Sequence, residues 1–323
     1  EAALLYPYRD FTFRQVDGVS REYEHARLKV LEGMSQGGCP IVVASAQAAL
    51  QHTIPLEKLQ RSTLRLRTGE QRDMNSLLAF LSFSGYERAE RVEGVCQFSQ
   101  RGGILDVFPP QAENPVRIEF WDEDIDSIST FLVDTQRRVD TLEEVWITPA
   151  REALFDSEAS FVELLRSARK TIRGKNAAKI RENLDHDIQR IESGLPLEYM
   201  DRYLPLLYPQ PATLLDYLQC PYGEKGESRF LVINESVNIR ENLRNANWQL
   251  QEDIKGLFEE GILFRGCDTF NREFTDLAAA ASRSSTVILD TFGRTLAEIP
   301  LRELIEIQCL QLSAWSGELE LLK

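Results

Sequence analysis

The sequence predicts an α/β protein that carries an inserted α+β domain, and three observations lead to this fold class. A β-branched run bounded by turn residues, as at residues 40–45, alternates with helical patterns near the start of the chain, which is typical of parallel α/β units. Residues 104–133 show strand patterns separated by proline-rich and acidic turns, which predict an antiparallel meander. Apolar residues at helical spacing then dominate residues 156–193.

The first 62 residues are predicted to alternate strands and helices. We expect a buried strand over residues 2–6 and a helix over residues 21–34 that is capped by Ser20. A central parallel strand should follow at residues 40–45, and a short helix should begin at Ala46.

Residues 63–150 are predicted to form a compact α+β domain. A strand at residues 63–67 and a helix at residues 73–84 precede the meander, and a strand at residues 145–147 closes the unit. Within the meander, strand alternation places Val116, Ile118 and Phe120 on the core face. Arg117, Glu119 and Trp121 lie on the opposite face, where a tryptophan is unexpected.

Residues 151–323 are predicted to return to helices and strands. The helical stretch should divide near Gly174 and begin with a capping box of Ser160 and Glu163. A helix over residues 236–258 and three strands complete the segment; the strands are expected at residues 230–234, 285–289 and 305–310. We interpret the basic residues between positions 166 and 181 as a solvated helix face rather than a nucleic-acid surface.

Composition limits the classes of partner and location. The net charge is −14, which argues against DNA as the main partner because nucleic-acid affinity depends on Lys and Arg. Five scattered cysteines without a CxxC motif favour a reduced, cytoplasmic protein without a zinc site. The chain contains no apolar run long enough to cross a bilayer, so we expect no membrane partner.

The residues also argue against an active site within this chain. The phosphate-binding motif GxxxxGK[ST] does not occur in the sequence. The three histidines, His25, His52 and His186, are far apart and have no paired nucleophile nearby in sequence. We therefore predict no catalytic residues, no metal ligands and no cofactor for the chain itself.

A resemblance supports a more specific interpretation. The run RGGILDVFPP, followed by VRIEFWDEDIDSI, resembles the signature of bacterial transcription-repair coupling factors, a family that shares this module with the excinuclease subunit UvrB. YPYRDFTFRQVDGVSREYEHARLKVLEGM and IVVASAQAALQHTIP resemble later parts of that family's first helicase-like lobe. The resemblance implies a degenerate, P-loop NTPase-like lobe built from residues 1–62 and 151–323, with a UvrA-binding, UvrB-type domain inserted at residues 63–150. We also expect the chain to be truncated at its start.

The resemblance implies adaptor function. The module would recruit UvrA, and with it nucleotide excision repair, to RNA polymerase stalled at DNA lesions. Contacts to polymerase and double-stranded DNA, and an ATP- and magnesium-dependent translocase activity, would belong to other domains of a full-length protein. One alternative is a UvrB-like enzyme that binds damaged DNA, but residues 11–19 are too short for the DNA-clamping hairpin of UvrB. A second alternative is a free-standing interaction protein without a motor.

Two groups of site residues follow from the resemblance. Arg101, Arg117 and Trp121 align with UvrA-contacting positions, Glu119 shares their face, and Trp121 replaces a common phenylalanine. On the residues alone, an equal alternative is that Trp121 packs under residues 125–133 while Arg117 bridges to Asp106 or Glu119.

The second group is a remnant of a nucleotide site. Asn234 and Glu235 occupy the position of the Asp-Glu pair that supports Mg²⁺ in NTPases. An amide at the first position weakens a site for a hard cation, so we expect a lobe that does not hydrolyse ATP.

Overall fold

The computed structural model describes residues 3–307 except 15–19, 196, 198, 224 and 292–296. Its strands are, in chain order, β1 Ala3–Tyr6, β2 Ile41–Ala44, β3 Leu64–Arg67, β4 Glu87–Arg88, β5 Gln97–Arg101, β6 Ile104–Val107, β7 Val116–Trp121, β8 Asp124–Phe131, β9 Arg138–Leu142, β10 Glu144–Ile147, β11 Phe230–Asn234 and β12 Ser285–Leu289. Its α-helices are α1 Glu22–Ser35, α2 Ala46–Leu50, α3 Leu56–Arg61, α4 Met74–Phe83, α5 Glu158–Thr171, α6 Ala177–Glu192, α7 Leu204–Leu207, α8 Ser236–Glu259 and α9 Phe274–Arg283. Short 3₁₀ helices span Met200–Tyr203 and Leu214–Gln219.

A six-stranded sheet forms the centre of the segment between β3 and β10. Strands β4 to β9 lie side by side in chain order, and every neighbouring pair except β4–β5 is antiparallel. Leu77 and Leu81 of α4 pack against the apolar face of this sheet, in one core with Leu105, Ile118 and Ile128. Strands β3 and β10 pair with each other, so the chain enters and leaves this unit at one place. The predicted meander is present.

The residues before and after this unit share another core. Strands β1 and β2 are parallel and connected by α1, while β11 and β12 are parallel and connected through α8 and α9. Tyr6 and Leu28 from the first segment are buried in one cluster with Phe161, Leu165 and Tyr203 from the last. The mixed α/β character predicted from the sequence is therefore confirmed, whereas the exact domain boundaries remain predictions.

Two strands are less buried than the sequence suggested. Leu5 on β1 and both Ile41 and Val43 on β2 are exposed. The two predicted strands are present, and their pairing is parallel as expected. In the described part of the chain they pair only with each other, so the expectations that the first strand is buried throughout and that the second is central were wrong. β-branched composition reports a preference for strand, but it does not report how many neighbours the strand finds.

Two helix starts and one strand also differ from prediction. Helix α1 begins after Arg21 without a side-chain cap, and the Ser20 hydroxyl only accepts a 3.4 Å bond from the Glu22 amide. Helix α5 is capped by Ser157, which forms the capping box with Ser160, because the helix starts earlier than its apolar pattern. Residues 305–307 are not in a strand, and residues 308–310 lie outside the described part.

None of the helices in the described part, including the 24-residue α8, combines the length and the apolar character that a bilayer crossing requires.

A buried ion-pair cluster joins the two segments of the second core. The Glu152 side chain is fully buried and accepts hydrogen bonds from Arg27 Nε at 2.7 Å and Arg9 Nε at 3.1 Å. Arg9 also forks onto Asp201, with Nη1 and Nη2 at 2.8 and 2.9 Å from its carboxylate oxygens. Burial opposes the charge of Glu152, but Arg27 and Arg9 hold its pKa below the usual range. The carboxylate is therefore ionised and compensated in the folded protein.

Glu152→Gln should destabilise the fold strongly. Glutamine keeps the shape but leaves two buried guanidinium groups without their shared charge, which costs about 3–5 kcal/mol of unfolding free energy. Because the folded pKa is depressed, this contribution is complete above the ordinary pKa of about 4.3 and is lost as pH falls through the folded pKa. Urea unfolding followed by circular dichroism measures the change.

The matched control for this experiment is Glu144→Gln, since Glu144 also binds two arginines, Arg65 and Arg67, but at the surface. Exposed pairs of this kind contribute little, so the control should unfold close to the parent. Equal urea midpoints for the two variants would show that the buried cluster does not hold the segments together.

Candidate functional site

The candidate site lies on the polar face of the six-stranded sheet. Arg117 on β7 pairs directly with Asp106 on β6, and Glu119 pairs with Ile104. Arg101 on β5 pairs with the same Ile104, so paired positions place Arg101 and Glu119 on one face. Their backbone positions are roughly 10 Å apart, across two strand spacings. The side chains that strand alternation assigned to the polar face of the sheet thus lie on that face.

Asp106 binds both arginines of this face. Its side chain is 1% exposed, and Oδ1 accepts from Arg117 Nε at 2.7 Å. Oδ2 accepts from Arg117 Nη2 at 2.8 Å and from Arg101 Nη2 at 2.9 Å. One buried carboxylate therefore fixes the position of two guanidinium groups that the sequence places 16 residues apart.

The two arginines differ in how much surface they present. Arg117 is 14% exposed; its guanidinium lies 4.5 Å from the centre of the Phe131 ring and donates to Gln136 Oε1 at 3.1 Å. The hydrogen bonds to Asp106 raise the pKa of Arg117, so the guanidinium stays charged. Arg101 is 51% exposed and is the arginine that points its free donors outward.

Trp121 is 80% exposed at the end of β7. The turn that follows it is anchored by backbone hydrogen bonds to a neighbouring loop, with Arg72 N donating to Glu123 O at 2.8 Å and Ile125 N donating to Glu70 O at 2.9 Å. A large apolar side chain is therefore held in solvent by a well-supported hairpin, rather than by a free loop.

The Gly102–Gly103 turn brings Arg101 close to this hairpin. Phe120 N donates to Gly103 O at 2.8 Å, and a Cβ at Gly103 would lie 2.8 Å from Phe120 O. Gly102 has a φ of +60°, in the left-handed region that favours glycine. Gly102 is thus favoured by the backbone conformation of the turn, and Gly103 by the close approach of the two strands.

The carboxylate of Glu119 is bound by neighbouring side chains on the same face. It forms an ion pair with Arg138 and accepts from Ser127 Oγ at 2.8 Å. The hydrogen bond from Arg138 is the main reason why the pKa of Glu119 is lowered. Glu119 therefore balances Arg138, while Arg101 and Arg117 share the single carboxylate of Asp106.

The structure combines the two alternatives left open by the sequence. Arg117 bridges to Asp106, as the packing alternative expected, but Trp121 does not pack under residues 125–133. Asp106 was not among the predicted site residues. The available signal was a lone aspartate in the apolar run at residues 104–108, since buried charges are almost always paired.

The predicted nucleotide-site remnant lies at the end of β11. Glu235 has a φ of +59°, donates its amide to Leu289 O at 2.8 Å, and accepts from Thr291 N at 3.1 Å. The neighbouring Asp290 accepts from the Ser236 amide at 2.7 Å and from the Ser236 hydroxyl at 2.8 Å. Both carboxylates thus fasten the ends of β11 and β12 together, while Asn234 is exposed.

The basic stretch and the aromatic passage have structural partners. Arg166 and Arg169 pair with Glu192 and Asp185 across the α5–α6 hairpin. The aromatic residues between positions 199 and 208 are buried in the core; they are Tyr199, Tyr203 and Tyr208. These contacts favour a structural role for both regions rather than a role in nucleic-acid binding.

Comparison with known proteins confirms the resemblance deduced from the sequence. Residues 64–152 match the family described as UvrB interaction domain. The chain is 29% identical over 328 residues to the transcription-repair-coupling factor of Bacillus subtilis (strain 168), covering 99% of this chain. It is 26% identical over 331 residues to the factor of the same name from Staphylococcus aureus (strain MRSA252), covering 100% of this chain.

The chain spans about a quarter of the length of the curated relatives it matches, namely 27% of each of these two proteins. The residues of the candidate site, from Arg101 to Trp121, all lie within the part that matches the UvrB interaction domain.

Proposed function

We propose that this chain is the UvrA-recruiting module of a transcription-repair coupling factor and that its docking surface is formed by Arg101, Arg117, Glu119 and Trp121. The observation that carries this proposal is Trp121, which is 80% exposed on an anchored hairpin. The half-exposed Arg101 precedes the glycine turn that is hydrogen-bonded to that hairpin. The name of the matched family, UvrB interaction domain, supports a role in UvrA binding.

The physical properties of these residues suit an interface. Tryptophan and arginine are enriched among residues that dominate binding energy. A side chain that is already held in position loses less freedom when it binds, which favours affinity. The guanidinium of Arg101 offers a planar fork for a carboxylate on the partner. Trp121 would therefore act as the apolar anchor and Arg101 as the polar anchor.

The remaining segments are proposed to form one degenerate helicase-like lobe, built from residues 1–62 and 151–323 around the inserted domain at residues 63–150. The two parallel strand pairs joined through helices, and the core shared by both segments, support this assignment. In the longer protein, contacts to RNA polymerase and double-stranded DNA, and ATP- and magnesium-driven translocation, would reside outside this chain. The relatives reported above are coupling factors, which favours this function over that of a UvrB-like enzyme.

A reduced, cytoplasmic location is part of the same proposal. Cys39, Cys96, Cys220 and Cys267 are free thiols in the described part of the chain. Free cysteines are typical of reducing compartments.

Trp121→Ala and Arg101→Ala should each weaken UvrA binding by roughly 30-fold. Loss of a central anchor costs about 2 kcal/mol, which corresponds to that factor. Both side chains are at least half exposed, so the melting temperature should be unchanged in Trp121→Ala. It should fall only slightly in Arg101→Ala, because the buried Asp106 keeps both hydrogen bonds from Arg117. Isothermal titration of purified UvrA into each variant measures the affinity. Arg117→Ala is less informative, because it would strip the bidentate partner from a buried carboxylate.

Matched controls come from the surface of the proposed lobe. Trp248→Ala removes another exposed tryptophan, and Arg61→Ala removes another exposed arginine. Both controls should bind UvrA as the parent does. Parental affinity in both Trp121→Ala and Arg101→Ala would place the docking surface elsewhere.

The chain should not release phosphate from ATP, with or without DNA. The sequence lacks a phosphate-binding loop, and the carboxylate of Glu235 is used by Thr291. A coupled phosphate assay with a P-loop ATPase as positive control provides the measurement. Turnover above background that disappears in Glu235→Gln would contradict the assignment of Asn234 and Glu235 as a remnant.

A further inference from the structure

Asp106 lies between the two arginines of the docking surface but is inaccessible to a partner. It is 1% exposed, while the Arg101 side chain that it binds is half exposed. Removing Asp106 would therefore alter the docking surface only through the side chains that remain on it.

The two arginines depend on Asp106 to different degrees. Arg117 has further contacts, because it stacks on Phe131 and donates to Gln136. Gln136 is itself held by a 2.9 Å hydrogen bond from its Nε2 to Val133 O. In the described part of the chain, Asp106 is the only side chain to which Arg101 donates a hydrogen bond. Arg101 uses one of its five N–H donors there, and the others remain available.

We propose that Asp106 is a positioning residue for UvrA binding, which acts by holding Arg101 in its docking orientation. This inference rests on the proposed function of the surface. Without the carboxylate, the long Arg101 side chain would sample several rotamers, and its immobilisation on binding would cost about two- to twelve-fold in affinity. Asp106→Asn is nearly isosteric, but its amide group presents donors where the guanidinium groups need an acceptor.

The direction in which Asp106→Asn changes UvrA affinity distinguishes a positioning role from a purely electrostatic one. Asp106→Asn removes a negative charge and makes the surface more positive. If overall attraction to an acidic partner dominated, the variant would bind UvrA more tightly. Positioning predicts the opposite sign, because a mobile arginine binds less well than a fixed one.

A double-mutant cycle on the full 323-residue chain tests this mechanism. We expect Asp106→Asn to weaken UvrA binding five- to ten-fold in the parent, but less than two-fold in an Arg101→Ala background. Effects that act through a shared side chain are not additive. In a Trp121→Ala background the five- to ten-fold effect should persist, because the hydrogen bonds of the Asp106 carboxylate among the described residues go to Arg101 and Arg117 and not to Trp121. If Asp106→Asn instead disturbed the fold in general, it would weaken UvrA binding equally in all three backgrounds.

Thermal melts accompany each titration. If Asp106→Asn does not fold, Asp106→Glu takes its place, because glutamate keeps the charge but displaces the carboxylate from the arginines. Asp106→Glu should show a smaller loss of UvrA affinity, and this loss should again disappear in the Arg101→Ala background. Unchanged or tighter binding, or an equal loss in the Arg101→Ala background, overturns the positioning role. If instead Arg101→Ala and Trp121→Ala themselves leave UvrA binding intact, the proposed docking surface has failed rather than the role of Asp106.

Discussion

The fold depends on the buried carboxylate of Glu152, which stands where the chain leaves the inserted domain. The arginines it binds, Arg9 and Arg27, come from the segment that precedes that domain. Residues that precede and follow the six-stranded sheet are therefore joined in space by charged groups that are almost completely buried. Removing one member of such a cluster leaves an uncompensated buried charge, so the cluster specifies how the two segments meet.

The same physical arrangement occurs in the candidate site, where Asp106 plays the part of Glu152. In both places one buried carboxylate fixes two guanidinium groups, but at Asp106 one of them reaches solvent. The cost of burying the charge is offset by the fork from Arg117 and by the additional bond from Arg101. With a rigid base of this kind and an exposed Trp121, the proposed docking surface would need little ordering on binding.

Much of this could be predicted from the sequence, because side-chain alternation along β7 is a local property. It placed Arg117, Glu119 and Trp121 on one face, and the structure has them there. The enclosure of Arg117 could not be predicted, since it depends on Phe131 and Gln136, which reach it through the folding of later strands. The exposure of Leu5, Ile41 and Val43 was missed for a related reason, because strand propensity does not reveal which neighbours a strand acquires. Local sequence patterns thus predict on which face of the sheet a residue lies. The packing of the folded protein determines which residues on that face are accessible.

The central claim is that the end of β7 contacts UvrA directly, and site-specific photocrosslinking tests it most directly. A benzophenone side chain installed at position 121 preserves an aromatic group at the exposed site, and the same group at position 248 provides a second exposed tryptophan position in the same chain. The account predicts a light-dependent crosslink to UvrA from position 121 and none from position 248. A crosslink from position 248 together with none from position 121 would contradict it.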